Sequence, residues 1–288
     1  MLSLIKISVS VADFPPGASM GRRGKDGSAG LPAAGALKKD VRNPDALRTR
    51  TSGSDAVREA KVQAATKAVF KGSTATYGAA PPPLLQCTDL VPDQPGFIVV
   101  VRELLGCVEC GRLCAAIDDV GLNMPNGADL NPRKNEAFLK RQSLSFVDPY
   151  LQSVIFQRMQ AYFPPIRHNG AERRAVGFDG SMRFYKYERG DQFGQHVDVS
   201  TRGCAATEET EYTLLIYLNG GGEGAPLEGG ETIFWKTKAK QLCVFAPERG
   251  VALLHGTNAA PAPAPQDQPS HHIGWVLTAN RSGCTSCT

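Results

Sequence analysis

One stretch of the sequence gathers residue types that can bind a metal: Arg183-Phe184-Tyr185-Lys186-Tyr187-Glu188-Arg189-Gly190-Asp191-Gln192-Phe193-Gly194-Gln195-His196-Val197-Asp198. In extended chain, residues two apart project from the same face, so the imidazole of His196 and the carboxylate of Asp198 can reach one ion together. A second histidine would complete the two-His, one-carboxylate facial triad that holds iron(II) and leaves other coordination positions open. The histidines available later in the chain are His255, His271 and His272. His-x-Asp alone is common, and its weight depends on the elements that carry it.

Those elements are legible as short strands. Met182–Glu188 alternates and leads into the His196 segment. Tyr212–Leu218 is a continuous apolar strand, followed by a Gly-rich loop over 220–230. Thr232–Trp235, Gln241–Ala246, Val251–His255 and Ile273–Thr278 read as further strands. Upstream, Gly96–Val101 is a β-branched run that reads as a buried strand. Helical spacing follows over Leu104–Val120 and again over 149–163, the latter stopped by Pro164-Pro165. Two helices followed by closely spaced strands predict an α+β domain, a sandwich or barrel braced by helices.

In combination, these segments resemble the catalytic domain of the prolyl 4-hydroxylase superfamily over about residues 95–281. The resemblance is carried by the Arg183–Asp198 stretch and by Thr213-Leu214-Leu215-Ile216-Tyr217-Leu218-Asn219. Gly229-Gly230-Glu231-Thr232-Ile233-Phe234 and the Pro247…Gly250…Ala252-Leu253-Leu254 pattern add to it. It implies a double-stranded β-helix core of the jelly-roll or cupin kind. It also implies an oxygenase using Fe(2+), 2-oxoglutarate and O2, with L-ascorbate keeping the metal reduced. The expected reaction is hydroxylation of a C–H bond, above all 4-hydroxylation of a peptidyl proline, so the expected partner is a proline-containing protein or peptide, with a small molecule as the other option.

By the same resemblance, His196 and Asp198 are the first two metal ligands, and Tyr187 contacts 2-oxoglutarate. Thr232, with Gly229 and Gly230, lines the turn and strand beside that pocket. His272 is the preferred third ligand because it stands in a His-x-Gly context with Gly274. His271 is an alternative, since Arg281 follows ten residues later, and His255 is a third choice. Arg281 is the implied cation for the distal carboxylate of 2-oxoglutarate, a charge-assisted contact. Two other readings stand beside the enzyme. One is a catalytically impaired oxygenase fold that acts as a binding protein. The other is a zinc or thiol interaction module built from Cys107/Cys110 and Cys284/Cys287.

Composition sets the remaining bounds. A 42% hydrophobic content and a mean hydropathy of −0.22 over 288 residues suit a soluble globule. The net charge of +4 is uneven: residues 21–72 carry 12 Lys/Arg against 5 Asp/Glu. That segment reads as a solvated extension, and no nucleic-acid partner is expected. Residues 1–85 are expected to be linker-like, with a short helix over 55–70, and residues 86–288 to form the oxygenase domain. No run reaches the ~18 apolar residues of a membrane span. The opening residues, interrupted by Lys6, make a poor signal peptide, so an intracellular compartment, cytoplasmic or organellar, is expected.

Overall fold

A computed structural model describes residues 1–13, 53–71, 85–94, 96–125, 130, 138–168, 171–198, 200, 209–221, 227–236, 240–257 and 274–278. The fold is β-rich and antiparallel, with three helices among the described residues. The strands are β1 (Leu2–Asp13), β2 (Cys87–Asp89), β3 (Ile98–Val101), β4 (Leu139–Lys140), β5 (Gln142–Phe146), β6 (Ile166–His168), β7 (Ala171–Tyr187), β8 (Gln192–His196), β9 (Glu209–Tyr217), β10 (Glu231–Trp235), β11 (Gln241–Phe245), β12 (Ala252–Gly256) and β13 (Gly274–Thr278). The helices are α1 (Gly53–Val69), α2 (Cys107–Val120) and α3 (Pro149–Met159). One sheet runs β2-β3-β12-β9-β1-β7-β5, with β6 also on β7; the other runs β11-β10-β13-β8-β4.

The expectation that residues 1–85 are linker-like is corrected at the start of that segment, while the helix expected within it is present. α1 occupies Gly53–Val69, close to the short helix expected over 55–70. More consequentially, β1 is an interior strand of the first sheet. It pairs with β7 from Leu2↔Tyr187 to Asp13↔Arg173, and on its other edge with β9 from Leu4↔Tyr217 to Val11↔Glu209. Leu2, Leu4, Ile5, Ile7, Val9 and Val11 are all essentially inaccessible. Burying each contributes about 1.5–3 kcal/mol, far more than a linker would gain. A boundary near residue 85 therefore does not separate a folded unit from an unfolded one.

The two-residue period of a strand sorts this sheet's side chains onto two faces. On one, Ile5, Ile7, Val9, Val99, Val101, Met182, Phe184, Leu214, Ile216 and Leu254 pack against the helices, which contribute Val62, Leu113, Ile117, Leu151 and Ile155. On the other, Leu2, Leu4, Ile98, Val100, Tyr185, Tyr187, Leu215, Tyr217 and Leu253 meet Phe193, Phe234 and Phe245 of the second sheet. Among the described residues the helices thus brace one face of this sheet. Asp148 caps α3 by accepting from the backbone N–H groups of Tyr150 (3.1 Å) and Leu151 (3.0 Å). The guanidinium of Arg158 on α3 ties that helix to Glu109 on α2 through contacts of 2.8 and 2.7 Å.

Candidate functional site

The site lies on the face between the two sheets. β8 ends at His196, and Asp198 follows two residues later, as the spacing implies. The His196 Nδ1 lies 2.8 Å from the Gly194 carbonyl, which fixes Nδ1 as the proton-bearing nitrogen and leaves the Nε2 lone pair directed elsewhere. That Nε2 lies 3.5 Å from Asp198 Oδ1. The His196 ring also stacks on Phe193, centroids 3.6 Å apart at 13°.

Two strands of the other sheet complete the cluster. Thr213 of β9 and His255 of β12 are register partners. The Thr213 hydroxyl donates to Asp198 Oδ2 at 2.6 Å, and His255 Nε2 lies 4.0 Å from the same oxygen. His255 Nδ1 sits 3.1 Å from the Gly256 carbonyl, so this ring too turns its Nε2 toward the carboxylate. His255 is the third choice among the late histidines, and the register of β12 on β9 brings it to Asp198.

The fifth member comes from the other end of the sequence. Lys6 of β1 donates from Nζ to Asp198 Oδ1 at 2.7 Å, and both side chains are only 12% exposed. Sequence reasoning read Lys6 as an interruption of an apolar run. The signal that could have found it was the alternation itself: Leu2, Leu4 and Lys6 share one face of a strand whose opposite face is Ile5, Ile7, Val9 and Val11.

The electrostatics are consistent with two neutral imidazoles around one carboxylate. Burial lowers His196 below its ordinary value, partly offset by the neighbouring Asp198 carboxylate. Burial likewise pushes His255 down, to about 4. For Asp198, burial pushes the carboxyl up, but its neighbours, the Lys6 ammonium first among them, outweigh it and hold the group well below the usual carboxylate range.

Tyr187 and Thr232 lie on the same inner face. Tyr187 is fully buried, and its hydroxyl has no hydrogen-bond partner among the described residues. Burial pushes its pKa up, so it stays protonated and able to donate. The Thr232 hydroxyl is 2.5 Å from the Tyr217 hydroxyl. Gly229 and Gly230 adopt φ of 80° and 83°, the left-handed conformation that glycine tolerates. A Cβ on Gly230 would come within 3.1 Å of Leu2, so the turn also packs against β1.

A cation that sequence reasoning missed is Arg141, between β4 and β5. Its guanidinium lies 4.0 Å over the Tyr185 ring and 4.5 Å over Phe193. Its Nε and Nη1 are buried with no hydrogen-bond partner among the described residues. It has no motif around it; only the fold brings it to the aromatic that stacks on His196.

His271, His272 and Arg281 lie outside the described residues. The strand that follows the two histidines, β13, pairs with β8 through Trp275↔His196. Cys107, Cys110 and Cys114 line one side of α2 as free thiols, exposed, buried and half-buried in turn, while Cys284 and Cys287 are outside the described residues. Among the described residues no group of three or more His, Cys, Asp and Glu side chains is arranged to hold a metal ion. The donor types at His196, Asp198 and His255 suit iron(II), a combination of neutral imidazole nitrogen and carboxylate oxygen. In the present arrangement, however, the positive partner on Asp198 Oδ1 is Lys6.

No protein-family model matches the chain, and no curated protein matches it. Among solved structures it is similar to a crystal structure of a Pseudomonas putida prolyl-4-hydroxylase. The identity is 16%, covering 66% of this chain and 90% of that one, with a TM-score of 0.37. Among the described residues no helix is long and apolar enough to cross a membrane.

Proposed function

We propose that this chain is an Fe(2+)- and 2-oxoglutarate-dependent dioxygenase that hydroxylates a C–H bond, with a peptidyl proline as its leading substrate, built on a double-stranded β-helix. The observation that carries the reading is the pairing of His196 Nε2 with Asp198 at 3.5 Å on the inner face. Around it the motif residues Tyr187 and Thr232 face the same interior.

His196 and Asp198 are the residues that would hold the iron. His272 is the preferred third ligand, with His271 and His255 as alternatives. His255 is the one of these whose distance to Asp198, 4.0 Å, is given by the fold. Bound iron would activate O2 and oxidise 2-oxoglutarate, and L-ascorbate would keep it reduced. The protein's own part is positioning. The protonated Tyr187 hydroxyl can donate to a carboxylate of 2-oxoglutarate. Arg281, by the resemblance, and Arg141, by its place beside Tyr185 and Phe193, are the cations available for the same group. The walls of Leu4, Val100, Leu215 and Leu253 exclude water from this space.

The test is succinate formation from 2-oxoglutarate with Fe(2+), ascorbate and a proline-containing peptide, by the wild type and by His196→Ala. Peptide-stimulated succinate in the wild type alone supports the reading; equal rates in both sink it.

A second reading, an oxygenase-like fold that binds a partner without turnover, is favoured by the Lys6–Asp198 ion pair, which already neutralises the carboxylate. It predicts no succinate from either chain.

A further inference from the structure

The carboxylate on which the proposed metal site depends is already engaged by a cation that belongs to the chain. Lys6 does not reach it from a loop. Its backbone is held between two strands, paired with Arg183 of β7 and with Leu215 of β9. Leu4, on the same face of β1, is wholly buried in the inner apolar cluster. The ammonium is therefore delivered to Asp198 Oδ1 at 2.7 Å from an interior strand. Thr213 takes the other carboxylate oxygen at 2.6 Å. The imidazoles of His196 and His255 turn their Nε2 atoms toward the same group, at 3.5 and 4.0 Å.

Two lone pairs and a carboxylate facing one another repel unless a positive charge lies among them. Lys6 supplies that charge. An ammonium and a divalent ion on the same mostly buried carboxylate repel each other in turn, and the medium there screens them little.

We propose that Lys6 is an internal counter-ion that competes with a divalent metal for Asp198, so that metal binding at His196 and Asp198 requires the Lys6 ammonium to withdraw. This rests on the reading of His196 and Asp198 as metal ligands. Two consequences follow. The metal-free chain keeps its buried carboxylate compensated and folded, and the intrinsic affinity for metal is lowered by the work of displacing the lysine.

The experiment titrates Co(II), followed by its visible absorption, into the full chain at fixed pH and salt. The proteins are the wild type, Lys6→Met and Lys6→Gln, each with and without His196→Ala. Close charge pairs are coupled strongly enough that losing Lys6 should tighten Co(II) binding by about tenfold or more. Adding His196→Ala should abolish the gain. Lys6→Gln keeps a hydrogen-bond donor for Asp198 without the charge, and it decides the matter should Lys6→Met fail to fold. In the wild type, amine acetylation read by mass spectrometry should find Lys6 protected alone and modified once Co(II) is added. Equal affinity in the wild type and both Lys6 variants, with Lys6 protected throughout, would overturn the competition while leaving the metal ligands standing. Absence of Co(II) binding in every variant would overturn both.

Discussion

Lys6 and Asp198 are 192 positions apart in sequence and 2.7 Å apart in the fold. The contact exists because β1 lies between β7 and β9, with its polar side chain on the face shared by β8 and β12. The N-terminal strand therefore serves both the core and the candidate site.

Replacing Ile5 by Ala should be as costly as a mutation in the central core. Ile5 is 0% exposed, and its register partners Phe184 and Ile216 belong with it to the helix-facing cluster. Truncating a buried isoleucine costs about 2–5 kcal/mol. Urea unfolding monitored by circular dichroism should show a lowered midpoint with unchanged slope, matching Leu214→Ala. A change within error of zero would mean that residues 1–13 are not part of the folded sheet.

The metal-free protein should lose stability as the solution is acidified below neutrality. The folded-state pKa of His255 is depressed, from 6.5 to about 4, by burial. Unfolded chains therefore take up a proton in that window that the fold refuses. The stability contributed by a neutral His255 is complete above pH 6.5 and is lost as pH falls toward 4. The slope approaches about 1.4 kcal/mol per pH unit. His196, also lowered by burial, adds in the same direction, while Asp198 is held well below the usual carboxylate range. Denaturant titrations at pH 7.5 and pH 5.0 should differ accordingly, and His255→Leu should flatten the dependence. Equal stability at both values contradicts the assignment.

The cysteines of α2 should behave as structural thiols. Burial pushes Cys110 up to about 12, with Cys114 and Glu109 adding to it, whereas Cys107 is exposed. Maleimide labelling of the native chain at pH 7.5, mapped by mass spectrometry, should modify Cys107 and spare Cys110 until urea is added, since the thiolate is the reactive form. Prompt labelling of Cys110 would revive a thiol-based role for the Cys107/Cys110 pair.

Much of this organisation was open to sequence reading because it is local. The strands expected at Gly96–Val101, Tyr212–Leu218, Thr232–Trp235, Gln241–Ala246 and Val251–His255 appear with ends shifted by at most three residues, and the helices expected over Leu104–Val120 and 149–163 appear as Cys107–Val120 and Pro149–Met159. Each announces itself by an apolar run with turn residues at its ends. The proximity of His196 to Asp198 is likewise set by a two-residue spacing. What escaped depends on long-range pairing. β1 was hidden because Lys6 breaks a hydrophobic run, and the neighbouring Asp198, just beyond a strand of the other sheet, helps make that lysine tolerable inside. His255 and Arg141 reach the site through register and chain reversal, which no motif encodes. The first part of β7, Ala171–Gly180, was missed because its pattern is polar and half-exposed.

Equilibrium binding of Fe(2+) tests, without relying on turnover, whether His196 and Asp198 hold one metal ion. Anaerobic dialysis of the wild type, His196→Ala and Asp198→Asn against the same free iron, with folding verified by circular dichroism, gives three occupancies. The expected result is one saturable ion per wild-type chain and none in either variant. The contradicting result is the same occupancy in all three, or none in any.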